Sequence, residues 1–343
     1  MSGFLDRTAF SIEAEAYHWG DVVAAAVAWG RWTALERQTR VADALVRAAH
    51  EAGTLPTAAE LDAEAREFRY ARELVSADET RRWLARHDLT LERWTAVLRR
   101  ALVRRRAGAP LPEPDETQAA ADPMVLDDAI CSGALADIAR ELAARAAAAA
   151  TAPDERGMEE HVAPAAPASA DGERTPAVMS PEAFAEARAR VARVDLAWHR
   201  IRARALTPEQ VRAQIGAHQL DWVRLDCATL AFRDVEIARE ALLSVREDGL
   251  PLADVAVAAR VPLEERGFFL EELEPPLRDR FIGAHEGELV GPLNGATGAA
   301  TLYLVRRKTL PSPDDPVVRE RAERGVLQTL LGRESARRVR WAE

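Results

Sequence analysis

The stretch from Leu220 to Thr309 constrains the fold most, because its hydrophobic period changes several times within one segment. Trp222 to Phe232 alternates apolar with other residues and carries β-branched and aromatic side chains, the pattern of a half-buried strand. From Val235 to Glu247 the period lengthens. Ile237, Ala238, Ala241, Leu242 and Val245 fall on one helical face, and Asp248-Gly249 supplies the left-handed stop. A short helix over Leu252 to Ala259 follows, then the turn Glu264-Glu265-Arg266-Gly267, the pair Phe268-Phe269 and a helix around Leu273 to Phe281. Gly287-Glu288-Leu289-Val290-Gly291-Pro292-Leu293, a Gly-rich turn and a closing strand at Thr301 to Val305 complete the segment. Strands flanking helices, with a closing hairpin, predict an α+β domain over 219–309.

In this order Gly267-Phe268-Phe269, Glu272-Leu273-Glu274-Pro275-Pro276-Leu277, Phe281 and Gly287-Glu288-Leu289-Val290-Gly291-Pro292 resemble the parvulin (PpiC or rotamase type) family of peptidyl-prolyl isomerases. The resemblance implies a four-stranded antiparallel sheet with helices. It also implies a Gly-aromatic turn leading into the helix that lines a proline pocket. Prolyl isomerisation needs little covalent chemistry: its barrier falls when an apolar pocket and nearby hydrogen-bond groups favour the twisted amide. In parvulins that equipment is a histidine pair on the first and last strands, a Cys or Asp before the Gly-aromatic turn, and a Met and Phe on the next helix. Here the histidine positions fall on Thr229 and Thr301, and the Met and Phe positions on Leu273 and Leu277 around Pro275. The loop before Gly267 offers Pro262, Glu264 and Glu265, while Cys227 shares the strand face of Thr229 without standing at the family's cysteine position. Threonines can hydrogen-bond across strands but supply no titratable network at neutral pH. No confident catalytic residue emerges. The substrate-binding set implied by the resemblance is Leu273, Leu277, Phe281, Phe269, Thr229 and Thr301.

Beyond that segment the chain is long enough, at 343 residues with 48% hydrophobic and 30% charged composition, for a second domain. A formal charge of -10 argues against a nucleic-acid partner. Lys308 is the single lysine, which reads as coding bias. Two cysteines imply no disulfide framework, and Asp226-Cys227 without a neighbouring histidine reads as a strand thiol. Seven scattered histidines predict no metal, and the absence of P-loop, GxGxxG and GxSxG patterns predicts no cofactor. The first twenty residues carry Asp6, Glu13 and Glu15 without an apolar core, and no run approaches the roughly 20 apolar residues of a membrane span. The expectation is a cytoplasmic protein with no membrane partner.

Residues 13 to 51 read as two helices, the first with Trp19, Val22, Val23, Val27, Trp29 and Trp32. Thr57 with Glu60, Ser76 with Glu79, and Thr90 are helix starts. Arg104-Arg105-Arg106 reads as a solvated, cation-rich helix end. Glu60-Leu61, Phe68-Arg69, Leu74-Val75-Ser76, Thr80, Trp83-Leu84 and Leu89-Thr90-Leu91-Glu92 resemble the N-terminal helical chaperone domain of SurA-like foldases, over 12–106. That family's domain binds unfolded or extended polypeptide and is completed by helices from both chain ends. The remaining expected layout is a linker at 107–121, a helical insertion at 122–150, a disordered linker at 151–179, connecting helices at 180–218, and a helix over 314–341 that packs on the N-terminal domain.

The function implied by both resemblances is binding of an extended or proline-containing peptide, as a chaperone or as an accessory to peptide maturation. Parvulin-like proteins of this build stand beside peptide-maturation systems, which implies a peptide-modifying enzyme as partner. The alternatives are an active peptidyl-prolyl cis-trans isomerase and a structural subunit of a modifying enzyme.

Overall fold

A computed structural model describes residues 3–108, 122–151, 175–294 and 299–342. Among them the chain forms β1 (Thr8–Ile12), β2 (Glu15–His18), α1 (Trp19–Ala28), α2 (Arg31–Glu51), α3 (Ala58–Tyr70), α4 (Ala77–Arg86), α5 (Leu91–Ala107), α6 (Asp122–Ser132), α7 (Ala134–Ala149) and α8 (Pro181–Ala205). Then come α9 (Pro208–Ala217), β3 (Arg224–Phe232), α10 (Val235–Arg246), α11 (Leu252–Ala259), β4 (Leu263–Phe269), α12 (Pro275–Ile282), β5 (Leu289–Asn294), β6 (Ala300–Thr309), α13 (Pro316–Arg338) and β7 (Val339–Trp341). The fold is α+β, with two antiparallel sheets ordered β2-β1-β7 and β4-β3-β6-β5. Two compact units result: Met1–Arg202 with Leu330–Glu343, and Ala203–Thr329.

In the first unit the expected helix starts form. Thr57 and Ser76 each accept from the backbone N–H three residues on, and Glu60 and Glu79 return the bond at 2.8 and 2.7 Å. Each such cap stabilises its helix by about 1 kcal/mol. Thr90 accepts from Arg93 N at 3.2 Å. The arginines ending α5 are ion-paired, Arg105 to Glu64 and Glu67 and Arg106 to Glu60, all three acids on α3.

Strand β2 replaces the start of the helix expected from Glu13, and β1 stands just ahead of it. Phe10 and Ile12 on β1 are buried, Phe10 stacks on Tyr17 of β2 at 4.8 Å, and its other edge meets Trp341 at 5.6 Å. The helix expected over 314–341 likewise ends at Arg338, after which Val339–Trp341 pairs with β1, Ile12 opposite Val339 and Phe10 opposite Trp341. Its opening turns belong to the second unit, where Val318 and Ala322 are buried with Val211, Ile215, Trp222 and Phe269. Arg321 lies over the Phe269 ring at 3.9 Å and pairs with Glu271 and Glu272.

Residues 122–150, expected as an insertion, supply the centre of the first unit. Val125, Ala129, Leu135, Ala139, Leu142, Ala143 and Ala147 are at most 1% exposed, the alanines letting neighbouring helices close in. Helix α8, expected as a connector, buries Phe184, Ala187, Val191 and Val194 in the same core. It is held there by charge as well: Arg190 Nε donates to the fully buried Asp21 at 2.8 Å, and Asp195 accepts from Trp29 Nε1 and Arg145. The linkers expected at 107–121 and 151–179 lie mostly outside the described residues. Where the second resumes, Val178 is buried in the first unit's core.

Candidate functional site

The four-stranded sheet of the second unit has two unlike faces, because neighbouring residues along a strand point to opposite sides. Ala228, Leu230, Phe232 and Leu302 pack against Ala238 and Ala241 of α10 and Leu252 and Val255 of α11. On the other face Leu225, Cys227 and Val305 pack with Leu270 and Phe281, and the partly exposed Phe268, Leu273, Leu277 and Tyr303 complete the surface. This second face is the candidate site.

Strand register places its residues. Leu225 faces Phe268, Cys227 lies between Arg266 and Val305, Thr229 between Glu264 and Tyr303, and Ala231 faces Thr301. A bulge lets Asp226 face Arg307 while Cys227 faces Val305, so one extra residue on β6 is absorbed at this point. Gly291 brings β5 close to β6: with φ of 133°, any Cβ there would lie 2.8 Å from the Thr301 carbonyl oxygen.

Three aromatic rings form the floor, each edge-to-face with the other two. Phe281 lies 5.5 Å from Phe268 and 5.4 Å from Tyr303, and Phe268 lies 6.3 Å from Tyr303, with interplanar angles of 79°, 85° and 88°. Phe281 is fully buried beneath the other two. Its helix is held at the C-terminus by Lys308, whose ammonium donates to the carbonyls of Ile282 at 2.7 Å, Ala284 at 3.0 Å and Phe281 at 3.4 Å. A cation with three donors suits a helix end that presents several unpaired carbonyls.

Five of the residues expected in the groove share this face: Thr229, Thr301, Leu273, Leu277 and Phe281. Phe269 does not. It points to the opposite side of β4, buried beneath Arg321 with Trp222 and Val318, and Phe268 takes the place expected for it. Sequence reasoning also passed over Tyr303 and Lys308. The single lysine of an arginine-rich chain was the available signal for the second.

Two polar groups at the floor, Thr229 and Cys227, are held in place by burial. Thr229 is 3% exposed and its hydroxyl donates to the Glu264 carbonyl at 3.2 Å, so it bonds to β4 rather than to Thr301. Burial pushes the Cys227 thiol up to about 11, with Asp226 and Glu265 adding to the rise, so it stays protonated at neutral pH. At the rim Arg266 and Glu264 form an exposed ion pair at 2.8 Å. His218 stacks on Trp222 and His285 stands in the turn before β5; neither belongs to the face. Among the described residues no group of three or more His, Cys, Asp or Glu could hold a metal ion, and no helix is long and apolar enough to cross a membrane.

The arrangement can hold an apolar ring against aromatic edges, and among the described residues no histidine stands on this face. No family model, curated protein or solved structure matches the chain.

Proposed function

We propose that residues 219–309 are a parvulin-like domain that has kept a peptide-binding face and lost isomerase chemistry. Residues 12–106 then serve as a SurA-like helical domain of the same cytoplasmic chaperone or peptide-maturation accessory protein. One observation carries the reading: an apolar floor of Phe268, Phe281, Tyr303, Leu273 and Leu277 stands beside Thr229 and Thr301, the positions where the resemblance puts histidines, and no histidine stands among them. Burying one apolar side chain on such a floor contributes about 1.5–3 kcal/mol. A proline-containing segment would therefore bind weakly and be released readily, as suits a transient client.

Exchange NMR on a labelled, unstructured peptide with one proline, mixed with sub-stoichiometric full-length protein, tests this. Broadening or shifts of the proline signals without accelerated cis–trans exchange are expected. Accelerated exchange would mean a working isomerase, and unchanged spectra at excess protein would remove the peptide-binding reading.

A further inference from the structure

The first unit carries a groove of about 1060 Å³ between α3 and α4, closed at one end by the start of α5. Its floor is Leu84, Leu89 and Trp94, all buried. Each wall is a single helical face, stepping by three and four residues: 59, 62, 65, 66 and 69 on α3, and 77, 80, 81, 84 and 85 on α4. Ala65, Ala77 and Ala85 stand along these walls, and such small side chains let a third helix approach to the roughly 8–10 Å spacing of packed helices. Leu91, 64% exposed, extends the apolar surface at the closed end.

Charge is sorted around this groove. The acids of α3 that could neutralise it, Glu60, Glu64 and Glu67, pair with Arg105 and Arg106 of α5. Arg66, Arg69 and Arg81 line the groove with Asp62 as the one acid beside them. Arg66 makes no ion pair among the described residues, and Arg81 pairs only with Asp78 on its own helix, both side chains about three-quarters exposed. Such an exposed pair exchanges partners at little cost. A cationic rim in a chain of net charge -10 is a local inversion, and it complements an acidic partner.

We propose that this groove docks an amphipathic helix of a partner, one whose apolar face carries leucine-type anchors and whose flanks are acidic. An apolar floor, alanine walls and an arginine rim match that helix in shape and charge. The proposal stands apart from the reading of the sheet face, and either can fail alone.

The test uses the full chain and a fluorescein-labelled synthetic helix of about five turns, leucines on one face and glutamates flanking them, read by anisotropy. A control peptide carries lysine in place of glutamate. The expected result is saturable binding of the acidic peptide, weakened by salt, with the lysine peptide at least about tenfold weaker. The double variant Arg66→Glu/Arg81→Glu, altered only at exposed positions, should reverse that preference, and Ala85→Arg should abolish binding of either peptide. Loss of binding in Ala85→Arg is scored only with an unchanged circular dichroism spectrum. Equal binding of the two peptides, an acidic preference unchanged by the double reversal, or displacement by a short single-stranded oligonucleotide would overturn the proposal. So would concentration-dependent self-association that the double variant loses, which would make a second copy of the chain the occupant.

Discussion

Replacing Tyr303 by alanine separates a binding floor from an ordinary core. Tyr303 is partly exposed, and its ring contacts are edge-to-face with Phe281 at 5.4 Å and Phe268 at 6.3 Å. Each such contact is worth about 0.5–1.5 kcal/mol. A fully buried aromatic truncated to alanine costs roughly 3–5 kcal/mol, so a partly exposed one should cost about 2. The second unit stays folded at that cost, within a typical stability of about 5–15 kcal/mol. If the ring is also a peptide contact, affinity for a proline peptide falls by about tenfold, which is about 1.4 kcal/mol. Phe281→Leu is the counterpart, because Phe281 makes the same kinds of contact yet is fully buried. It should cost about 1–3 kcal/mol of stability and change affinity far less. Tyr303→Phe keeps the ring and should change neither. Urea unfolding followed by circular dichroism gives the stabilities, and NMR titration of the peptide against each full-length variant gives the affinities. If Tyr303→Ala lowers stability but leaves affinity at the wild-type value, the three rings are core only and the argument for the groove fails.

Two further outcomes follow from the first unit. Asp21 is fully buried and accepts from His18 N at 2.7 Å and Arg190 Nε at 2.8 Å, so Asp21→Ala removes a helix cap and strands Arg190; it should lower the urea stability by about 3 kcal/mol, with Asp21→Asn costing less. His87 lies against Trp83 with ring centroids 4.2 Å apart, and burial is the main cause that holds its imidazole below the ordinary value of 6.5, with Arg86, Arg72 and Arg7 adding to the fall. The unfolded chain therefore binds that proton more readily, so this contribution to stability is present above pH 6.5 and is lost as pH falls from there through the folded value. Melting curves between neutral and mildly acidic pH should show a smaller drop for His87→Gln than for the parent chain, and an identical drop would show that His87 does not titrate on unfolding.

What could be read from the sequence was local. Helix caps are written within four residues, and Thr57, Ser76 and Thr90 all form as read. Strand alternation in Trp222 to Phe232 and the helical face of Val235 to Glu247 also needed only neighbours, although Ile237, expected on that face, is 49% exposed. The small sheet of the first unit was not legible in this way. Strand β1 gains its partner β7 from the other end of the chain, and Phe10 is buried only once Tyr17 and Trp341 lie on either side of it. A five-residue strand flanked by polar residues has no helical or alternating pattern strong enough to announce itself. The same limit hid the role of 122–150. Alanine tracts read as helix, but whether they sit inside or outside depends on what packs against them.

The candidate site shows the sharper form of this limit. Phe268 and Phe269 are adjacent and chemically identical, so composition and motif cannot say which belongs to the groove. Register decides it. With a side-chain period of two, pairing Leu225 with Phe268 sends that ring to the face of Phe281 and Tyr303, and sends Phe269 under Arg321. A slip of one residue between β3 and β4 would turn both rings to the opposite face, with only one of them reaching the place the other had held. Trp222, Val318 and Ala322 receive Phe269 on one side while Phe281 and Tyr303 receive Phe268 on the other, so either ring misplaced would leave an aromatic pocket unfilled. Two packing sites that depend on one register specify it more strongly than either would alone, and they keep the aromatic floor on the same face as Thr229.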